Sequence, residues 1–319
     1  MACGDSPVPP AMRAIPLVLV LTACGGAESV AETSAETATE PTPFLADASR
    51  QTAEVADWLV AEHGASRVAV VVVDVATGES VGAAGRGPLG DGEVDRPVDS
   101  ASTIKTFTIA AALAAGLDPE RRFATDDGEW RSGDLTLRDA HPQPSHDARA
   151  VLVLSSNVGA ANVTSEVGAE RVRSLLSALA LPAGDRDAWA GNEGIRRAAH
   201  GITITPSEWA RAYAAFAKGR AGGDGWIVSP ALAAQVRDML ESAVREEEGT
   251  GHPASVEGLR IAGKTGTSDL GEVRGCWFVG MAPADDPRWV AAVYAETAEG
   301  YGGSVAAPAF ARLAAQLEL

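Results

Sequence analysis

Two of the three lysines in this chain lie in short strings of hydroxyl-bearing residues. The chain has 26 lysines and arginines together, and only Lys105, Lys218 and Lys264 are lysines. Lys105 ends residues 102–105 (Ser-Thr-Ile-Lys), and Lys264 begins residues 264–267 (Lys-Thr-Gly-Thr). An arginine stays protonated in proteins, whereas a buried lysine can lose its proton and accept one from a neighbour. The pattern therefore indicates acyl transfer with a serine nucleophile and a lysine base.

Ser102 and Lys105 have a spacing that brings a nucleophile and its base together at the start of a helix. Residues i and i+3 share a helix face, so the lysine amine can reach the serine oxygen. The helix N-terminus also favours negative charge developing on that oxygen. An ordinary lysine, with a pKa of about 10.4, is protonated near neutrality, but burial and a second cation such as Lys264 can lower that pKa. Taken alone, the string also fits a helix cap beside a solvated charge.

A second string, Ser-Ser-Asn at residues 155–157, follows the apolar run 151–154. Ser155 could transfer a proton between Lys105 and a leaving-group nitrogen. The amide of Asn157 could hydrogen-bond a peptide carbonyl of the substrate. By itself the string would equally fit a polar turn that opens a helix.

The third string, residues 264–267, lies at the end of a predicted strand. Lys264 and the hydroxyls of Thr265 and Thr267 could bind a substrate carboxylate. Gly266 would keep side-chain bulk away from a substrate that lies along an edge strand. The backbone N–H groups of Thr267 and Ser102 could together form an oxyanion hole. A lone Lys-Thr-Gly-Thr string would also fit a turn.

The apolar periodicity predicts the elements that would hold these strings. Their order is helix, two strands, a helical insert, three strands and a final helix. The sequence therefore predicts an α/β (α+β) fold, with a five-stranded antiparallel sheet flanked by helices, an all-helical lobe, and a cleft between sheet and lobe. The predicted helices are 51–63, 103–115, 165–179, 207–217, 231–244 and 307–317, and the predicted strands are 68–75 with a hairpin partner, 259–262, 276–281 and 289–295.

The N-terminal segment is typical of an exported lipoprotein. An apolar run at residues 14–21 leads into Leu-Thr-Ala and then Cys24, which resembles a bacterial lipobox. We therefore expect a signal peptide with lipobox at 1–24, a flexible tether at 25–45 and a catalytic domain at 46–319. Lipidated Cys24 would anchor the exported chain to the outer face of the cytoplasmic membrane, or elsewhere in the periplasm or cell envelope. An ordinary signal peptide with an incidental cysteine is the alternative.

Charge and histidine spacing argue against two other classes of function. The formal net charge of −17 disfavours nucleic acid as a partner, because nucleic acids bind basic surfaces. The charge excludes neither an enzyme nor a binding protein. The five histidines form no metal-binding motif, so neither a metal nor another cofactor is predicted. His141 and His146 lie in a proline-rich stretch and are interpreted as solvent-exposed loop residues.

Together and in this order, the three strings resemble the S-x-x-K, S-D-N and K-T-G set of β-lactamases and penicillin-binding proteins, with Ser-Ser-Asn as the middle member. The resemblance is to the transpeptidase domain of penicillin-binding proteins and covers about residues 66–319. Other segments that look like this branch are 111–116, 201–206, 210–213, 249–251, 277–280, 302–303 and 307–308.

The resemblance implies a role for each string. Ser102 would be the acylated nucleophile and Lys105 its base, and Ser155 with Asn157 would be the second motif. Lys264, Thr265 and Thr267 would form the carboxylate clamp and oxyanion strand. The implied substrate is the D-alanyl-D-alanine peptide stem of peptidoglycan, used for D,D-transpeptidation or D,D-carboxypeptidation, with β-lactams as covalent inhibitors.

Two other functions stay open at this point. A β-lactamase would need a glutamate that positions a hydrolytic water, and Glu193 after Asn192 lies near the right distance in sequence, whereas Glu166 and Glu170 are interpreted as surface residues. A catalytically silent lipoprotein that binds muropeptide or β-lactam is the alternative from another class. The presence of every reactive group disfavours that silent binder.

Overall fold

The computed structural model describes residues 47–222 and 225–318. The predicted signal peptide, lipobox and tether lie outside the described residues. The α-helices are α1 (Ala48–His63), α2 (Lys105–Ala114), α3 (Ala148–Val153), α4 (Asn157–Val167), α5 (Ala169–Ala178), α6 (Gly191–His200), α7 (Pro206–Ala217), α8 (Pro230–Arg245) and α9 (Ala306–Leu317). No helix among the described residues is both long and apolar enough to span a bilayer.

Thirteen strands are assigned within the described ranges. They are β1 (Arg67–Asp74), β2 (Ser80–Arg86), β3 (Val98–Asp99), β4 (Phe123–Ala124), β5 (Glu129–Ser132), β6 (Leu135–Arg138), β7 (Ser145–His146), β8 (Thr203–Ile204), β9 (Arg220–Gly222), β10 (Gly225–Val228), β11 (Ala262–Asp269), β12 (Arg274–Ala282) and β13 (Trp289–Thr297). The main sheet has the order β11-β12-β13-β1-β2, and every pairing in it is antiparallel.

The main sheet is apolar on both faces because helices cover both. In β1, Val68 and Val70 belong to a core shared with α1 and α9, whereas Val71 and Val73 belong to the core shared with α2 and α7. Side chains alternate between the faces of a strand, so a strand buried on both sides must be apolar throughout. The predicted five-stranded antiparallel sheet flanked by helices is confirmed.

Three details differ from the sequence prediction. The helix predicted at 165–179 is two helices, because Gly168 has a φ of 88° and separates α4 from α5. The strand predicted at 259–262 is wrong in its bounds, since β11 begins only at Ala262. The helical lobe also carries the short ribbons β3–β8, β4–β7, β5–β6 and β9–β10. Strands of two to four residues are too short to show a hydrophobic period.

The three strings fall at element ends that face one another. Ser102 precedes α2, residues 155–157 lead into α4, and residues 264–267 lie on β11. Because β11 is an edge strand of the main sheet, one side of its backbone has no neighbouring strand. The fold thus places the sheet edge against the N-terminal ends of two lobe helices.

Candidate active site

The turn that carries Ser102 is held in a constrained backbone conformation. Ala101 has a φ of 48°, and its N–H donates to Oδ1 of Asp99 at 2.8 Å. A Cβ added to Gly201 would lie 2.4 Å from that Oδ1 and 2.6 Å from the nitrogen of Ala101. Only glycine fits at 201, where φ is also 130°. The turn before Ser102 is therefore held in place by the Asp99 carboxylate and by close packing against Gly201.

Helix α7 fixes the first turn of the segment that leads from Ser102 into α2. Trp209 donates from Nε1 to Oγ1 of Thr103 at 2.7 Å. The Tyr213 hydroxyl contacts the carbonyl oxygen of Thr103 at 2.7 Å and Oγ1 of Thr106 at 2.8 Å. All of these side chains are buried. Buried hydrogen bonds of this kind hold the serine and the lysine in one rigid unit.

Lys105 is fully buried, and its amine meets the predicted nucleophile directly. Its Nζ lies 2.7 Å from Oγ of Ser102, 2.9 Å from the carbonyl oxygen of Ser155 and 2.6 Å from Oδ1 of Asn157. Burial lowers the pKa of Lys105 to about 7, against the opposing effect of the Asp139 charge. Near neutrality a large fraction of this amine is therefore unprotonated and able to accept the serine proton.

The second string forms a tight turn at the start of α4. Ser155 has a φ of 58°, in the left-handed region. Ser156 caps the helix, with its Oγ accepting from the N–H of Gly159 at 2.7 Å. Asn157 donates from Nδ2 to the carbonyl oxygen of Arg138 at 2.7 Å, which leaves one amide hydrogen for a ligand.

Asp139 anchors this turn, although no sequence motif predicts that role. Its side chain is only 2% exposed. Oδ1 accepts from the backbone N–H of Asn157 at 2.5 Å and of Val158 at 3.0 Å, while Oδ2 accepts from the Ser156 hydroxyl at 2.7 Å. Burial alone would raise the pKa of Asp139, but these hydrogen bonds and the contact with His146 hold it below its ordinary value. A lone aspartate sixteen positions before Ser155 gives no motif that could have identified it.

On β11, Lys264 is also fully buried and contacts the second string. Its Nζ donates to Oγ of Ser155 at 2.8 Å and to the carbonyl oxygen of Thr265 at 3.1 Å. Burial and the charge of Lys105 hold the pKa of Lys264 well below its ordinary value. Ser155 Oγ is therefore hydrogen-bonded to Lys264, whereas Lys105 contacts the carbonyl of the same residue.

The hydroxyls of the third string line the sheet side of the site. Thr265 contacts the Thr250 hydroxyl at 2.8 Å, and Oγ1 of Thr267 accepts from the N–H of Gly302 at 3.0 Å. A Cβ on Gly266 would lie 3.1 to 3.2 Å from atoms of Ser100, Ala101 and Thr103, the residues on either side of Ser102. β11 thus lies so close to the segment around Ser102 that a side chain at position 266 would be crowded.

These groups open onto a cleft with a volume of about 750 Å³. Six of the eight predicted catalytic and substrate-binding residues line it, and Lys105 and Lys264 lie behind the wall. The described lining residues are Ser102, Ala140, His141, Leu154, Ser155, Asn157, Thr250, Thr265, Gly266, Thr267, Asp269, Arg274, Tyr301 and Gly303. The cleft is large enough for a short peptide or a β-lactam.

Two other sequence interpretations have different outcomes in the structure. Glu193 does not line the cleft, and its carboxylate pairs with Arg196 at 2.6 Å and Arg197 at 3.0 Å on the surface of α6. The interpretation of His146 as an exposed loop residue is wrong, since it is fully buried in β7. A polar residue two positions before a helix gave no sign of its burial. His141, by contrast, is exposed at the cleft.

Comparison with known families agrees with this geometry. The family described as penicillin binding protein transpeptidase domain matches residues 68–315, which is most of the chain. The chain belongs to this family. The resemblance stated from the three strings is therefore confirmed.

Relatives of the transpeptidase domain include longer bacterial proteins. Penicillin-binding protein PbpB of Mycolicibacterium smegmatis is 29% identical over 80% of this chain and 50% of its own length. The protein named probable peptidoglycan D,D-transpeptidase PenA of Neisseria gonorrhoeae is 31% identical over 79% of this chain and 52% of its own length. The chain spans about half the length of these relatives. The transpeptidase domain of Burkholderia pseudomallei penicillin-binding protein 3 superposes with a TM-score of 0.75 at 25% identity, covering 85% of this chain and 93% of that domain.

Proposed function

We propose that this transpeptidase domain is a serine acyltransferase that acts on D-alanyl-D-alanine peptide stems of peptidoglycan. The observation that carries the proposal is the 2.7 Å contact between Ser102 and a fully buried Lys105 amine, whose pKa is lowered to about 7. The family and the names of the relatives support a transpeptidase.

In acylation, neutral Lys105 would accept the Ser102 proton while Oγ attacks the carbonyl carbon of the penultimate D-alanine. The backbone N–H groups of Ser102 and Thr267 are the proposed donors to the developing oxyanion. The C–N bond then breaks, and the departing D-alanine nitrogen takes up a proton. Ser155 is the proposed proton donor, and the proton that Lys105 accepted from Ser102 would then replace it, which returns Lys105 to its neutral form. Lys264, whose Nζ contacts Oγ of Ser155 at 2.8 Å, would orient this hydroxyl.

The ester on Ser102 is resolved when an acceptor attacks it. An amine acceptor gives a new peptide bond, and water gives a free carboxylate, so the same site supports D,D-transpeptidation and D,D-carboxypeptidation. A β-lactam would form the same ester, and it inhibits if hydrolysis is slow. The β-lactamase alternative loses its proposed base, because Glu193 is paired with two arginines outside the cleft wall.

The test follows a penicillin adduct and D-alanine release in the same preparation. We expect a fluorescent penicillin to label the chain stably, and a D-alanyl-D-alanine peptide to release D-alanine with or without an added amine acceptor. An adduct that forms and quickly disappears would instead establish a β-lactamase. Absence of both the adduct and D-alanine release would favour the silent binder.

We also propose that the chain is exported and anchored by a lipid on Cys24, facing the outer side of the cytoplasmic membrane or another part of the cell envelope. The support is the apolar run followed by Leu-Thr-Ala-Cys. Replacing Cys24 with serine should move the protein out of the membrane fraction. Equal membrane retention of the wild type and Cys24→Ser would contradict the anchor.

A further inference from the structure

His146 is a fully buried histidine directly behind the second string. Among the described residues, neither of its ring nitrogens has a hydrogen-bond partner. Its strand β7 pairs with β4, which sets it opposite Phe123. A Cβ on Gly159 would lie 3.3 Å from Cβ of His146, so the residue packs against the first turn of α4. A buried polar ring without hydrogen bonds is unfavourable, which raises the question of what the ring does there.

The ring faces the carboxylate that anchors the second string. Nε2 of His146 lies 3.4 Å from Oδ2 of Asp139, and both side chains are almost completely buried. The same Oδ2 accepts from the Ser156 hydroxyl. The nitrogen–oxygen distance is longer than a normal hydrogen bond, so a small movement of the ring would complete the bond. His146 therefore contacts the one carboxylate that both orients the turn and acts on Lys105 through its charge.

Within residues 47–222 and 225–318, the charged groups next to His146 in sequence or across α4 are paired or lie beyond other residues. Asp147, the next residue, caps α3 and pairs with Arg122 at 3.2 Å. From α4 the ring meets the neutral first turn at Gly159, and Lys105 lies beyond Asn157. His141, on the same connection, is exposed at the cleft. Asp139 is thus the partner that the geometry offers to the ring.

We propose that His146 is a positioning residue of the acylation site, which donates from Nε2 to Oδ2 of Asp139 and so holds the carboxylate that orients the second string. The role in acylation rests on the proposed function, whereas the link between His146 and Asp139 does not. Without this donor the carboxylate would hold the turn less firmly, and Ser155 and Asn157 would be displaced.

The first experiment measures the rate of penicillin acylation at about pH 8 for wild type, His146→Leu and His146→Gln. We expect His146→Leu to lower this rate by about 10-fold, because Asp139 loses a hydrogen-bond donor and the turn that it anchors shifts. Glutamine keeps a donor, so His146→Gln should restore most of the wild-type rate. His63→Gln, on α1 and outside the cleft lining, should match wild type.

A purely structural role for His146 would leave His146→Gln as slow as His146→Leu, and that result would overturn the proposal. The second experiment needs no reaction and records the ¹⁵N shifts of the His146 ring by NMR in the Ser102→Ala background. At about pH 8 we expect the Nε2–H tautomer, because a carboxylate oxygen faces that nitrogen.

Adding Asp139→Asn to that background should reverse the tautomer. The amide oxygen is needed by the backbone N–H groups at 157 and 158, so the new NH₂ group would face Nε2 and favour the Nδ1–H form. An unchanged tautomer would show that His146 and Asp139 are not linked and would overturn the proposal. If wild type forms no penicillin adduct, the proposed function fails, and the NMR result still decides the link.

Discussion

Replacing Lys105 with methionine is expected to slow penicillin acylation of Ser102 by about 10³-fold, within the range that a positioned general base contributes. Methionine preserves most of the buried volume but cannot accept a proton. In wild type, the acylation rate should rise with pH through about 7, because Lys105 is the base only after it loses its proton. Lys105→Met should be slow across this range and lose that rise. The measurement is the second-order acylation rate against pH.

Two variants serve as controls for this prediction. Lys218→Met removes the third lysine of the chain, which is exposed, does not line the cleft and contacts Asp286 at 3.5 Å. This variant should acylate at the wild-type rate. Lys105→Arg keeps a positive charge that cannot be lost, so it should be as slow as Lys105→Met. Wild-type acylation by Lys105→Met, or rescue by arginine, would show that the amine is not the base.

Replacing Asp139 with asparagine is expected to lower the acylation plateau by about 100-fold. The amide cannot match a carboxylate that accepts from two backbone N–H groups and the Ser156 hydroxyl, and a buried donor without a partner costs about 1–3 kcal/mol. The turn that places Ser155 and Asn157 would then shift, and small displacements of catalytic groups are costly. The same change removes the charge that raises the pKa of Lys105, so the acid limb should move to lower pH.

A variant that is merely misfolded would lower the plateau and leave the acid limb in place. Asp139→Asn should lower the plateau and also move the acid limb to lower pH, which distinguishes the two cases. Asp147→Asn is the matched control, since Asp147 caps the neighbouring helix α3 and does not contact the second string. It should leave the limb in place. A wild-type plateau in Asp139→Asn would contradict the anchoring role of the carboxylate.

The sequence predicted the structure best where the surroundings of a residue dictate its type or the spacing of the apolar residues. The valines of β1 must be apolar because both sheet faces are covered, and they identified the strand. The scarcity of lysine drew attention to Lys105 and Lys264, and the structure places both in buried positions beside Ser102 and Ser155. The site roles assigned to these residues stay predictions.

Other features could not be predicted from local sequence. β11 lacks an apolar alternation because its threonines and Gly266 face a cleft and a close turn, so its bounds were wrong. Asp139 contacts the turn at the start of α4, and His146 is buried beside Asp139; such contacts depend on the tertiary fold rather than on spacing. Glu193 had a plausible position in sequence, yet α6 directs its carboxylate toward two surface arginines.

The most direct test of the central claim is to map the penicillin adduct to a residue. Wild type and Ser102→Ala would be treated with a penicillin, digested and analysed by mass spectrometry. The account predicts an adduct on the peptide containing Ser102 and no adduct in Ser102→Ala. An adduct on Ser155 or Ser156, or undiminished labelling of Ser102→Ala, would contradict the assignment of Ser102 as the nucleophile.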